Sequence, residues 1–323
     1  VNKMKLIPYR TEQILQEAEE FPNGVKMIEA QSLWDRTSQG KGSVVAVIDT
    51  GCQMDHPDLE NRILGGYNFT DDYEGDETNY DDNNGHGTHV AGTIAAIDNQ
   101  QGVIGVAPQA DLLILKVLSR EGSGQYDWII SAIEYAINWE GPQGERVRVI
   151  SMSLGGPDDA KEMHQVVQKA VNQGISVVCA AGNEGDGREN TYEYAYPGCY
   201  NEVIQVGAID AQRAITDFTN TNDEIDLVAP GADVLSTYIG GKYARLSGTS
   251  MSTPHVAGGL ALIIPLVEAQ FQRSMSEPEI FSQLIKRTLP LGYSKAAEGN
   301  GLLMLSLTDK LEELFSTYTT AIK

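Results

Sequence analysis

The chain has 323 residues, of which 45 are acidic and 23 basic, for a formal net charge of −22. So acidic a surface argues against nucleic acid or an anionic membrane as partner, since both demand basic patches. No segment offers the ~18 uninterrupted apolar residues of a membrane-spanning helix, and the composition suits a soluble globular chain with ample core material. The start, Val1–Arg10, has no apolar stretch before Pro8, so no secretory signal is expected. Val44–Ile48 is the first short apolar run. A strongly acidic loop, Asp71–Asn84, follows and reads either as a solvated loop or as a cation site. Leu112–Leu118, Val147–Met152, Ile175–Ala180 and Val203–Ala208 are further short apolar runs. Runs of this kind predict strands of a parallel sheet, buried on both faces. Tyr126–Trp139 and Ala160–Gln173 carry apolar residues at helical spacing, the second stopped by Gly174. Strand and helix in alternation predict an α/β fold, a mostly parallel central sheet with helices on both faces. Cys52, Cys179 and Cys199 cannot all pair with one another, which points to reduced thiols and a cytoplasmic address.

In open α/β sheets the chemistry lies beyond the carboxyl ends of the strands. Asp49 follows the first run, Ser153-Leu154-Gly155 follows Met152, and Gly182-Asn183-Glu184 follows the run ending at Ala180. Two more segments carry chemistry. His86 stands between two glycines in Asn84–Ala96, NGHGTHVAGTIAA, and Ser250 precedes a small-residue apolar stretch in Ser247–Gly259, SGTSMSTPHVAGG. Each residue alone reads more readily as a cap or a structural group, and His86 with His89 has the spacing of a helical metal pair. HGTH lacks the glutamate of the HExxH zinc pattern. Together they form an Asp, a His and a Ser in glycine-rich settings, with an Asn available for an oxyanion.

VAVIDTG, NGHGTHVAGTIAA, SMSLGG, AAGNEG and SGTSMSTPHVAGG resemble the signature segments of the subtilisin serine proteases, in the family's order and over about Glu19–Lys310. The resemblance implies that Ser250 is the nucleophile, His86 the base, Asp49 its orienting carboxylate and Asn183 an oxyanion donor. It makes His89 and His255 structural. It implies that an extended polypeptide substrate lies between Gly122-Ser123-Gly124 and Ser153-Leu154-Gly155. Tyr126 and Ile129 would form an upstream apolar pocket, and Glu184 would stand beside the pocket at the cut, where Gly182 and Ala195 leave room. Broad specificity is expected. It implies Ca²⁺ held by Asp58, Asn99 and the carbonyls of Ile97, Gln101 and Val103, with Glu19 near the remaining position, and a second cation near Gly198, Tyr200 and Val203.

The acidity, the free cysteines and the short leader with Leu6-Ile7-Pro8-Tyr9 resemble the intracellular subtilisins of Bacillus-like bacteria. That likeness implies a cytoplasmic homodimer. Its expected parts are a leader, 1–18, that inhibits from within the cleft with Leu6 or Tyr9 in an apolar pocket, a catalytic domain, 19–310, and a C-terminal extension, 311–323. The rival classes are a non-catalytic peptide-binding protein of the same fold and a calcium-binding structural protein.

Overall fold

The computed structural model describes residues 3–321. Val1, Asn2, Ile322 and Lys323, the ends of the expected leader and C-terminal extension, lie outside the described residues. In chain order the strands are β1 Lys3–Leu6, β2 Arg10–Leu15, β3 Val44–Asp49, β4 Ile63–Asn68, β5 Asp111–Lys116, β6 Ser123–Gln125, β7 Val147–Met152 and β8 Leu154–Gly155. They continue with β9 Ser176–Ala180, β10 Ile204–Ile209, β11 Leu227–Pro230, β12 Val234–Tyr238, β13 Lys242–Ser247, β14 Thr288–Leu289 and β15 Leu302–Leu303. The helices used below are α1 Asn23–Met27, α2 Gln31–Thr37, α3 His86–Ala95, α4 Tyr126–Asn138, α5 Lys161–Asn172, α6 Thr249–Phe271 and α7 Glu277–Ile285.

Each of the five apolar runs forms a strand of one nine-stranded sheet, ordered β14-β15-β11-β10-β9-β7-β3-β5-β4. Its pairings are parallel except β14 with β15. The fold is therefore the expected three-layer arrangement. β3 shows why its sequence is apolar throughout. Val45 and Val47 pack on one face against Val90 and Ile94 of α3 and Val256 and Leu260 of α6. Val44, Ala46 and Ile48 pack on the other against Ile129 and Ile133 of α4 and Met163 and Val167 of α5. With a helix layer on each face, neither side of the strand tolerates polar residues.

α6 is long and apolar enough to cross a membrane, yet 89% of that stretch is buried inside the fold. It is apolar on all sides because it runs through the core rather than along its surface. Pro254 lies within it, where it has no N–H to offer the carbonyl of Ser250 four residues back. The Ser153 hydroxyl, at the end of β7, donates to that carbonyl instead, at 3.0 Å. A break in the helix ladder thus ties the start of α6 to the rim of the sheet.

Two smaller sheets involve the leader. β1 lies antiparallel between β6 and β8, and β2 lies antiparallel along β13, which pairs on its other side with β12.

Candidate active site

The carboxyl ends of β3, β7 and β9 and the N-termini of α3 and α6 meet at one rim. Asp49 ends β3 and is 1% exposed. Its Oδ1 accepts from the Thr50 N–H at 2.7 Å and lies 2.8 Å from His86 Nδ1. His86 opens α3, and its neighbours are glycines for steric reasons. A Cβ on Gly85, which has φ +110°, would stand 2.5 Å from the Tyr238 ring, and one on Gly87 would stand 2.1 Å from the Gly51 carbonyl. The helix can approach the strand end closely enough for the Asp–His contact only without those side chains. Among the described residues, His86 Nε2 and Asp49 Oδ2 are buried with no hydrogen-bond partner.

Ser250 lies in the first turn of α6, fully buried. Its Oγ donates to the Ser153 carbonyl at 3.3 Å. The positive end of α6 surrounds its main-chain N–H with a favourable potential for an anion. Asn183, beyond β9, has its side-chain oxygen taken by the N–H and hydroxyl of Thr249, both at 2.9 Å. That fixes the amide's direction, and its Nδ2 points into the cleft, where it donates to the carbonyl of Pro8 at 2.5 Å.

The leader occupies the rest of the cleft. Lys3, Met4 and Lys5 pair with Gln125, Gly124 and Ser123, and Lys5 and Leu6 pair with Gly155 and Leu154. The Leu6 N–H also donates to the Gly122 carbonyl at 2.8 Å. Leu6 or Tyr9 is expected in an apolar pocket; Leu6 packs against the cluster that holds Ile129 and Tyr9 against that of Met251, while Met4, not singled out in the sequence, is the residue fully buried beside Ile129. Strand alternation turns Met4 and Leu6 to the same face: Met4 is fully buried beside Ile129 and Tyr126, and Leu6, partly buried, packs against the same apolar cluster and over Gly122. Ile7, 3% exposed, stands against Gly155 at the pocket lined by Glu184, Ala195 and Asn220. Side chains therefore put Ile7 at the pocket beside the cut, but the carbonyl at Asn183 belongs to Pro8. The two registers differ by one residue. Tyr9 lies with its ring 4.9 Å from that of His86. Glu184 is held by Asn220, which accepts from its N–H at 2.7 Å and donates to its carboxylate at 2.9 Å.

His89 and His255 stand apart from this chemistry. His89 Nε2 faces the carbonyls of Val234 and Ala244, and His255 Nδ1 faces that of Met251. Burial pulls their pKa values down to about 3 and about 4, so both rings are neutral.

Sequence reasoning missed what supports the triad. Asp82, in the acidic loop, is 5% exposed. It accepts from the Thr50 hydroxyl, from the N–H groups of Asn84, Gly85 and Thr88, and from the Thr88 hydroxyl. Lys116 is fully buried, with Nζ on the carbonyls of Thr50 and Leu118, on Asn83 Oδ1, and on Asp72 at 3.0 Å. The loop is therefore a bracket that holds the turn after Asp49 against the start of α3, and not merely solvated chain. A lysine inside an otherwise apolar strand was the available signal, because a buried ammonium requires partners.

The loop after α3 wraps around Asp58, which is fully buried. Asn99 Nδ2 and the Val103 N–H donate to its two carboxylate oxygens, and the Ile97 N–H donates to its carbonyl. The Gln101 N–H donates to Asn99 Oδ1, and Glu19 bridges to Gly102. Asp58 has no ion-pair partner among the described residues. No group of three or more His, Cys, Asp or Glu side chains converges among those residues. A cation here would be held by one carboxylate with amide and main-chain oxygens, a hard-oxygen set that fits Ca²⁺. Gly198, Tyr200 and Val203 share one turn, in which the Tyr200 carbonyl already accepts from the Val203 N–H at 2.8 Å.

A model of the subtilase family matches residues 40–306. An intracellular serine protease of Paenibacillus polymyxa is 59% identical over 319 residues, 99% of this chain and 96% of that protein. The major intracellular serine protease of Bacillus subtilis (strain 168) is 54% identical over 312 residues, 96% of each chain. Subtilisin E of the same organism is 46% identical over 248 residues, 76% of this chain and 62% of that protein.

Proposed function

The chain belongs to the subtilase family and is a serine endopeptidase, and we propose that it cleaves cytoplasmic proteins with broad specificity while its own leader, residues 1–18, holds it inactive until removed. The observation that carries this reading is the contact of Asn183 with the Pro8 carbonyl, 2.5 Å long, beside the Asp49–His86 pair and Ser250.

In the proposed reaction, Ser250 Oγ attacks the scissile carbonyl and His86 Nε2 takes its proton. His86 then passes the proton to the departing amine, leaving an acyl-enzyme. Water, deprotonated by the same nitrogen, releases the acid and restores Ser250. Asp49 at Nδ1 holds the tautomer that leaves Nε2 free and stabilises the imidazolium. Asn183 Nδ2 and the Ser250 N–H receive the oxyanion. Main-chain pairing with β6 and β8 is indifferent to side chains, which supports broad specificity.

Three features support inhibition by the leader. The Ile7 and Pro8 registers disagree, so the carbonyl at Asn183 is not that of the residue in the pocket. Ser250 Oγ is bonded to the Ser153 carbonyl. Tyr9 covers His86. The domain limits 19–310 and 311–323 belong to the same reading. So does Ca²⁺ in the 97–103 loop with Asp58, Asn99 and Glu19, where it would compensate a buried carboxylate and stiffen the loop. An exposed apolar stripe, Leu311, Leu314 and Phe315, supports a homodimer, and the relatives named intracellular support a cytoplasmic location.

A fluorophosphonate probe tests the assignment. Labelling should fall on Ser250 once the leader is gone, and Ser250→Ala should abolish both labelling and casein hydrolysis. Labelling elsewhere, or more than a tenth of the activity in the variant, would contradict it.

A further inference from the structure

β2 continues the path of β1 beyond the catalytic centre. Lys3–Leu6 lies between β6 and β8, the Pro8 carbonyl meets Asn183, and Arg10–Leu15 then runs along β13 from Arg10 opposite Ser247 to Leu15 opposite Tyr243. One bulge, at Arg245–Leu246, accommodates the bend. Side chains contribute little to this second pairing, since Arg10–Ile14 are all exposed. Leu15 is the exception. With Ala18 it packs on a small apolar patch formed by Ala96, Val103, Leu235 and Tyr243.

We infer that this edge and patch form a second recognition site for unfolded polypeptide substrate, downstream of the scissile bond. The inference rests on release of the leader. Once β2 leaves, β13 is an edge strand with unpaired main-chain groups next to an uncovered apolar patch, a template for strand addition. The leader itself indicates the occupant: a continuous extended chain that already spans both sides of the centre. A substrate would pair with β13 from its second residue beyond the cleaved carbonyl, as Arg10 does beyond Pro8. An apolar side chain near the seventh would enter the patch that Leu15 fills. Main-chain pairing keeps the site tolerant of sequence. The length of extended chain required favours unfolded proteins over short peptides and over compact domains.

The test uses the full chain brought to constant activity, with its N-terminus read by mass spectrometry. Two peptides share one proline-free upstream segment and carry either two residues after the cleaved bond or the ten of Tyr9–Ala18. A peptide p-nitroanilide, with nothing downstream, reports the catalytic centre alone. The longer peptide should be cut with kcat/KM roughly tenfold higher or more. Replacing its downstream leucine by aspartate should remove most of the gain. Leu235→Ser should do the same while leaving p-nitroanilide hydrolysis unchanged, which also shows that the variant is folded. Equal kcat/KM for both lengths, with p-nitroanilide hydrolysis intact, overturns the inference. No p-nitroanilide hydrolysis, or full hydrolysis with the leader still attached, overturns the inhibitory-leader reading and this inference with it.

Discussion

The ring of Tyr9 lies on the imidazole of His86, their centroids 4.9 Å apart and their planes tilted by 50°. The carbonyl just before it takes the Asn183 amide. Consecutive leader residues thus engage the base and the oxyanion donor. Pro8 is the restraint, because it fixes φ near −65° and lacks the N–H that strand pairing would use. Pro8→Ala should let the chain straighten and bring the Ile7 and Pro8 registers into line. Mass spectrometry should then show the first residues lost several-fold faster than in the parent. An unchanged rate would assign the restraint to another residue.

Oxyanion and nucleophile losses should differ in size. Triad losses in a subtilisin are on the order of 10⁶-fold in kcat, and loss of one oxyanion donor costs about 10²–10³-fold. Ser250→Ala should therefore fall to background, while Asn183→Ala keeps measurable turnover with KM little changed. Similar residual rates in the two variants would contradict their separate roles.

Met251 follows the nucleophile and is fully buried with Val234, Ala244 and Leu246, beneath Tyr9 and Tyr238. Oxidation would place a polar sulfoxide beside the oxyanion site. Mild peroxide should oxidise Met251 faster after leader removal than in the leader-bearing form, because Tyr9 packs against the cluster that buries it. Met251→Ala should resist in both forms. Equal sensitivity of parent and variant would point to another target, such as the partly exposed Cys199.

Glu277 opens α7, 7% exposed, and burial pushes its carboxyl up to about 7 against a weak bond from Ser176. An acid whose folded pKa exceeds its unfolded value of about 4.3 holds its proton more tightly when folded. Its contribution to stability is fully present below about pH 4 and is lost as pH rises through about 7. The positive end of α7 offsets part of that loss. Glu277→Gln should raise the melting temperature by a few degrees at pH 8, a gain of at most about 4 kcal/mol, and change little at pH 4. A variant less stable than the parent at pH 8 would show that the carboxylate is needed there.

The strand ends that carry Asp49, Ser153 and Asn183 were legible because short apolar runs stop abruptly at polar residues. The leader's place between β6 and β8 was legible too, through the family resemblance, but its second strand was not. Arg10–Leu15 has no apolar alternation, since its pairing relies on β13 rather than on burial of side chains. Met4 carries no pattern of its own, and its pocket exists only once α4 is packed on the sheet. The buried Lys116–Asp72 pair joins residues far apart in sequence, which periodicity cannot reveal.

The 97–103 loop should respond to chelation. A ligand bound only by the folded state stabilises it by about 2.7 kcal/mol at a hundredfold excess over Kd. Excess chelator should lower the melting temperature of the parent, and Asp58→Asn should lose most of that response. A parent melting curve that chelator leaves unchanged, after incubation long enough for exchange, would contradict a bound cation.

The most direct test of the account compares initial rates of the full chain and of a protein beginning near Glu19, at equal concentration and saturating calcium. Mass spectrometry during the assay shows the full chain still uncleaved. The shortened protein should hydrolyse casein at once, whereas the full chain should show a lag that ends as its leader is lost. Equal initial rates, with the leader demonstrably in place, would contradict inhibition by residues 1–18.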